Sequence, residues 1–146
     1  MSVLDPSIAT LLIADDDPDD RPAAQEALGN CDPRCVLPFA ENGAELLDIL
    51  NNTSAFVEVP GGPLPGLILL DLNLPKMTGL EALRAIKADS RLCTIPVVVW
   101  TTSHAVEDRD ASYRDGAAQF LIKPYRFQEI EHVLCKVART WLKGTG

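Results

Sequence analysis

Five short apolar runs, each followed by a segment with helical periodicity, give the chain its pattern. The runs cover residues 10–14, 35–40, 67–70, 95–101 and 117–122. Short apolar runs bounded by Gly or Pro are typical of strands that are buried on both faces of a parallel sheet. The alternation therefore predicts an α/β fold, a doubly wound five-stranded parallel (βα)5 sheet with helices on both faces.

Proline, glycine and capping residues set the expected helix boundaries. Two arrangements are open for the first helix: Pro22 lies in its first turn, or the helix begins at Pro18 and is kinked. The pair at 29–30, Gly-Asn, is expected to end this helix. Thr78 followed by Glu81 has capping-box spacing and predicts the start of the third helix.

Two elements are expected to be peripheral. Pro38 within the second apolar run predicts an edge strand, because its missing N–H cannot join an interior ladder. Ser103 is expected to begin a fourth helix that carries few apolar residues and is therefore weakly held. Residues 51–65 are rich in Gly and Pro and are predicted to form a mobile connection.

Composition and charge narrow the class of protein. The 146 residues are predicted to form one domain, 1–146, with no attached output domain. A net charge of −8 argues against nucleic acid or an anionic membrane as a direct partner. With no signal peptide and no segment long enough to span a bilayer, a cytoplasmic location is expected.

Four cysteines occur at spacings that match no zinc pattern: Cys31, Cys35, Cys93 and Cys135. Cys31 and Cys35 could pair with each other. A cytosolic setting nevertheless predicts free thiols.

Polar residues stand at the ends of four of the predicted strands: Asp15 and Asp16, then Asp71, Thr101-Thr102 and Lys123. In a parallel sheet these strand ends meet at one edge, where α/β proteins bind ligands. Clustered carboxylates need a cation, and hard oxygen ligands suit Mg²⁺. A carboxylate beside Mg²⁺ and a lysine is equipped to accept a phosphoryl group.

Plainer interpretations of these acids remain open. Asp71 could merely cap the helix that follows it. The acidic run 15–20 could be only a solvated helix start.

Over nearly its whole length the chain resembles the response-regulator receiver domains of two-component signalling. The matching motifs, in order, are Asp15-Asp16, Asp71 with 72–75 and Gly79, Thr101, and Lys123-Pro124. Residues 16–20, 71–76 and 95–104 are further similar to single-domain regulators that partner bacterial phytochrome kinases. The resemblance implies the flavodoxin-like strand order 2-1-3-4-5.

The resemblance also implies a role for each residue of the site. Asp71 is the phosphoacceptor, and Lys123 pairs with it at rest and with the phosphoryl group afterwards. Mg²⁺ is bound directly by Asp16, through water by Asp15, and by the backbone carbonyl of Asn73, beside Asp71.

Switching residues follow from the same resemblance. Thr101 turns its hydroxyl towards the phosphoryl oxygen, and Phe120 rotates into the space that Thr101 leaves. Phe120 could equally be an ordinary core residue.

Thr102 stands where many receivers have a smaller residue, and it is expected to narrow access to the site. His104 and His132 are interpreted as surface residues rather than phosphorelay histidines.

The function implied by the resemblance is that of a phosphoacceptor, not an enzyme. It takes its phosphoryl group from a sensor histidine kinase, for which a bacteriophytochrome is the candidate. The fourth helix with the last strand and helix forms its switching face. A downstream protein or phosphotransfer partner receives the signal, and Trp141-Leu142 is expected to support a homodimer.

Two alternatives are an adaptor that no longer takes phosphate and an Asp-nucleophile phosphohydrolase. The hydrolase chemistry needs a second Asp where this chain has Asn73.

Overall fold

A computed structural model describes residues 11–31, 36–51 and 65–141. Within them the five strands form one parallel sheet in the order β2-β1-β3-β4-β5, which confirms the predicted fold. The elements in chain order are β1 (Leu11–Ala14), α1 (Asp20–Cys31), β2 (Val36–Ala40), α2 (Gly43–Asn51), β3 (Leu67–Leu70), α3 (Gly79–Ala88), β4 (Val97–Thr101), α4 (Val106–Arg114), β5 (Gln119–Ile122) and α5 (Phe127–Trp141).

The sheet separates two apolar layers, as the uninterrupted apolar runs predict. Leu11 and Ile13 of β1 pack with apolar residues of α1 and α5. Leu12 and Ala14 of the same strand pack with α2 and α3 on the other face. All four are almost completely buried, because successive side chains of a strand point to opposite faces. Burial between the two layers holds the central strands in place, and with them the residues at the strand ends.

The predicted edge position of β2 is confirmed, since this strand is the first in the sheet order and β1 is its neighbour there. The other edge is β5, whose residues are half-buried or exposed. Within the described parts of the chain, no helix combines the length and apolar character that crossing a bilayer requires. Most of the predicted connection 51–65, together with Cys35 and Leu142, lies outside the described residues.

Helix α1 resolves one open question and corrects one prediction. It begins at Asp20, so Pro22 lies in the first turn, where its missing N–H costs nothing. The predicted stop at 29–30 is wrong, because the helix continues to Cys31. Contacts with α5 hold this last turn: the side-chain amide of Asn30 donates to Glu131 Oε2 over 2.7 Å.

The capping box of α3 is confirmed. Thr78 Oγ1 accepts a hydrogen bond from the Glu81 backbone N–H, and Glu81 Oε1 accepts one from the Thr78 N–H. The hydrogen bond from the Thr78 backbone N–H, and after it the Thr78 side chain, lowers the pKa of Glu81, since bonds to the carboxylate favour its charged form. The start of α3 is therefore set locally, as the sequence predicts.

Helix α4 begins at Val106, three residues later than predicted. Ser103 lies before the helix, where its hydroxyl bonds Asp108 Oδ2 and accepts from the Ala105 N–H. Among the residues of α4 only Ser112 is buried, while Val106 and Tyr113 are exposed. Little apolar area holds this helix on the sheet, in keeping with the predicted weak attachment.

The cysteine prediction needs correction as well. Cys31 at the end of α1 forms a disulfide with Cys135 in α5, and the two Cα atoms are 5.7 Å apart. Free thiols were expected from a cytosolic setting, and no sequence signal links positions 104 residues apart. Cys93 has a free, half-buried thiol.

We expect the disulfide to stabilise the fold, because it closes a loop of more than a hundred residues in the unfolded chain. Cys135→Ser should lower the free energy of unfolding by roughly 4 kcal/mol relative to the oxidised protein. Thermal unfolding followed by circular dichroism measures the loss. Cys93→Ser, which breaks no cross-link, is the matched control. Equal melting temperatures for Cys135→Ser and the oxidised wild type would contradict the prediction.

Candidate functional site

Strand pairing brings the two principal acids together. Ala14 and Leu70, the last residues of β1 and β3, are partners in register. The pairing continues one residue further, where the Asp71 N–H donates to the Ala14 carbonyl over 3.0 Å. Asp15 is held on the other side of β1, since its N–H donates to the Ala40 carbonyl. The backbone ladder therefore fixes both carboxylates at the same edge of the sheet.

Asp15, Asp16 and Asp71 form an acidic group that could hold a metal ion. One carboxylate oxygen from each lies within 4.8 Å of the others. Asp15 and Asp71 are buried, and Asp16 is exposed at the mouth of the site. Carboxylate oxygens from two buried positions and one open position suit a hard divalent cation that keeps several of its waters.

Lys123, the residue after β5, places its ammonium between carboxylates from three elements. Its Nζ donates to Asp15 Oδ2 and Asp71 Oδ2 over 2.8 Å each, and to Asp20 Oδ2 over 2.5 Å. Its side chain is only 6% exposed. The sequence pattern identified Lys123, Asp15 and Asp71, but it did not distinguish Asp20 from the other acids of the run 15–20.

Burial and ion pairing oppose each other in this group. Burial raises the pKa of Asp15 to about 6, although the bonds from Lys123 and the Asp17 N–H act the other way. Burial alone would lower the pKa of Lys123, but the hydrogen bonds with Asp15, Asp20 and Asp71 together raise it above its ordinary value. The lysine is therefore a permanent cation, and a further cation would favour the ionised form of Asp15.

The carboxylate of Asp71 has a fixed orientation. Its Oδ1 accepts from the Asn73 N–H over 3.0 Å, and its Oδ2 accepts from Lys123. The alternative in which Asp71 caps α3 is wrong, because Thr78 is the N-cap. The expected metal-binding role of the Asn73 carbonyl remains a prediction.

Thr101 and Thr102 occupy different positions. Thr101 is completely buried at the end of β4, and its Oγ1 accepts from the Ser103 N–H over 3.3 Å. Its carbonyl accepts from the Lys123 N–H, which ties β4 to β5 beside the site. Thr102 is exposed, and its expected narrowing of access to the site stays a prediction.

Phe120 is compatible with both of its interpretations. It is half-buried and packs against the core layer formed with α2 and α3. It also lines a cavity of about 230 Å³ together with His104 and Val106, which gives the ring space to move. Both His104 and His132 are exposed, which confirms their interpretation as surface residues.

Two glycines let neighbouring helices close on the β3–α3 loop, residues 71–78. A Cβ at Gly79 would lie 2.3 Å from the Asp71 carbonyl oxygen, and one at Gly43 would lie 2.3 Å from the Met77 carbonyl oxygen. The Gly79 N–H donates to the Leu72 carbonyl over 3.0 Å. Backbone therefore packs directly on backbone around Asp71, and a side chain at Gly79 would displace the loop.

Within this loop Lys76 adopts a positive φ of 68°, which non-glycine residues seldom do. The Met77 N–H donates to the Pro75 carbonyl over 2.7 Å, the bond of a γ-turn centred on Lys76. The turn redirects the chain from β3 into α3 in few residues.

Comparisons with known proteins agree with this architecture. A response regulator receiver domain profile matches residues 11–134. The probable methanogenesis regulatory protein FilR2 of Methanothrix harundinacea is 42% identical over 106 residues, 73% of this chain and 66% of that protein. Response regulator Rcp1 of Synechocystis is 34% identical over 133 residues, 91% of this chain and 88% of that protein.

Two solved structures extend the likeness to three dimensions. The phosphorylated cyanobacterial phytochrome response regulator RcpA superposes with a TM-score of 0.81 at 30% identity, covering 92% of this chain and 94% of that one. The Mn²⁺-bound form of Rcp1 gives a TM-score of 0.79 at 33% identity, covering 92% and 95%.

Gly79→Ala tests the close packing around the β3–α3 loop. We expect the added methyl group to lower the free energy of unfolding by about 1–3 kcal/mol, because backbone atoms must move to admit it. Urea denaturation measures the change. Gly29→Ala in α1 is the matched control: a Cβ there meets nothing within 4 Å, so its stability should be unchanged or slightly higher. Equal stability of the two variants would refute the packing argument.

Proposed function

This chain belongs to the response regulator receiver domain family, and from that premise we propose that Asp71 accepts a phosphoryl group from a sensor histidine kinase. The observation that carries the proposal is the contact of Asp71 with Lys123 beside the acids Asp15 and Asp16. It supports the proposal because a carboxylate, an ammonium and an acidic group that could hold a metal lie together at one edge of the sheet. RcpA, a receiver of similar structure, has been solved in phosphorylated form.

The transfer exchanges one bond to phosphorus for another. A carboxylate oxygen of Asp71 bonds to phosphorus as the bond from phosphorus to the donor's imidazole nitrogen breaks, and the electron pair stays on the imidazole. Lys123 compensates the charge of the transferred group, which is the main catalytic demand in phosphoryl transfer.

Mg²⁺ is the proposed cofactor, held by Asp15, Asp16, Asp71 and the Asn73 carbonyl. These donors are the hard oxygen atoms that the ion prefers, and a bound ion would supply the positive charge that shields the phosphoryl group from the carboxylates. The Mn²⁺-bound form of Rcp1 supports a divalent metal in this class of site.

Phosphorylation switches the face formed by α4, β5 and α5. The Thr101 hydroxyl turns from Ser103 towards the phosphoryl oxygen, and Phe120 moves into the vacated space. Helix α4 follows because it buries so little of its surface. A local bond change thereby reaches a surface that a partner can bind.

The upstream partner we propose is a bacteriophytochrome-type histidine kinase, supported by the likeness to the phytochrome regulator RcpA. We propose that the receiver domain acts in the cytoplasm, where such kinases hold their phosphoryl group. It passes the signal to a downstream protein or phosphotransfer partner. It has self-phosphorylation and autodephosphorylation chemistry but turns over no separate substrate.

Acetyl phosphate with Mg²⁺ tests the acceptor directly. We expect a mass gain of one phosphate per chain that requires Mg²⁺ and disappears in Asp71→Asn, since the amide is a poor nucleophile. Intact-protein mass spectrometry measures it. Asp48→Asn, an exposed acid of α2, is the matched control and should still be phosphorylated.

Two negative results have different meanings. If folded wild type gains no phosphate but Thr102→Ala does, Thr102 blocks small donors and the acceptor assignment stands. If neither protein is phosphorylated by acetyl phosphate or by a kinase, the adaptor function replaces the one proposed. Multiple turnover of a phosphate ester would instead indicate the phosphohydrolase.

The proposed homodimer uses the same switching face. Ile122 of β5 is 40% exposed there, and the Trp141 indole N–H donates to Gln119 Oε1, which fixes the ring against β5. Light scattering at high micromolar concentration should show a dimer that Ile122→Ser weakens, because apolar contact area is lost. Gln25→Ser, exposed on α1, should leave it intact. A wild-type monomer at that concentration would rule out the dimer.

A further inference from the structure

We propose that Asp20 is a positioning residue for phosphoryl transfer, acting through Lys123. Asp20 lies in the first turn of α1, and its carboxylate binds the same ammonium as Asp15 and Asp71. The inference rests on the proposed phosphoacceptor function and adds to the site a residue from helix α1.

The ammonium has three N–H donors, and the three carboxylates use one each. The direction of Nζ is therefore fixed by three carboxylates, its anchors, which lie directly after β1, in α1 and directly after β3. If one anchor is removed, the flexible four-carbon side chain regains rotamer freedom at the point where the phosphoryl group arrives.

Asp20 differs from the other two anchors in one respect. Asp15 and Asp71 belong to the acidic group that could hold the metal, and Asp20 does not. When a metal ion binds Asp15 and Asp71, Asp20 remains as the carboxylate that is paired with Lys123 alone. Asp20 thereby keeps the Lys123 ammonium beside Asp71 while the phosphoryl group is transferred to Asp71.

The same contact affects metal affinity. Without Asp20, Lys123 interacts more strongly with Asp15 and Asp71 and competes with a cation for their oxygens. Loss of the Asp20 charge also reduces the negative potential of the site. Both effects act in the same direction, so Asp20 favours metal binding from outside the metal-binding group.

Asp19 provides a matched comparison one residue away. It carries the same charge at the same end of α1, but its side chain is exposed and it is not an anchor of Lys123. A difference between Asp20→Asn and Asp19→Asn therefore reports the contact with Lys123, since both variants lose one negative charge.

The experiment compares wild type, Asp20→Asn, Asp20→Glu and Asp19→Asn. The maximal phosphorylation rate with acetyl phosphate at saturating Mg²⁺ is followed by intact mass, and the Mg²⁺ dissociation constant by calorimetry. We expect Asp20→Asn to lower the maximal rate about tenfold and to weaken Mg²⁺ binding, as loss of a hydrogen bond between charged groups should. Asp20→Glu should recover most of both, and Asp19→Asn should stay within about twofold of wild type.

The outcomes separate this inference from the proposed function. An Asp20→Asn protein with the rate and the Mg²⁺ affinity of Asp19→Asn overturns the inference, even if its melting temperature falls. A shift in either property beyond that of Asp19→Asn supports it. If wild type takes no phosphate, the proposed function fails, and the Mg²⁺ titrations alone decide the role of Asp20. Asp20→Ser replaces Asp20→Asn if the latter does not fold.

Discussion

The ammonium of Lys123 is the charge on which the site depends. Asp15 and Asp71 are buried side by side, an arrangement that desolvation and mutual repulsion both oppose. Lys123 offsets both the desolvation and the repulsion, because its three N–H donors bond carboxylates from separate elements. The ion pairs thus join the ends of β1, β3 and β5 across a sheet in which β4 lies between the last two.

The backbone around the site helps to hold this charged group in place. Strand pairing places Asp15 and Asp71 at the same edge of the sheet. The absence of a Cβ at Gly43 and Gly79 lets α2 and α3 pack closely on the β3–α3 loop. The Asp71 carboxylate is consequently oriented by main-chain contacts as well as by Lys123. A site of this kind tolerates little displacement, because its geometry is set by backbone packing.

What the sequence predicted here follows from local pattern and sheet geometry. Apolar runs identify the strands, and parallel pairing gathers Asp71 and Lys123 at one edge. Contacts between α1 and distant elements have no local signal, so neither the anchoring role of Asp20 nor the partner of Cys31 was predicted. The start of α4 was misplaced because Ser103 bonds forward to a side chain instead of occupying the N-cap itself.

The order of the elements along the chain has a consequence for synthesis. The carboxylates are encoded early, directly after β1 and β3, whereas their cation is supplied by the residue after β5. A nascent chain that has left the ribosome only as far as β4 therefore holds uncompensated acids and no complete site. A site whose cation is supplied by the residue after β5 is therefore complete only in a chain that has been synthesised and folded through all five strands.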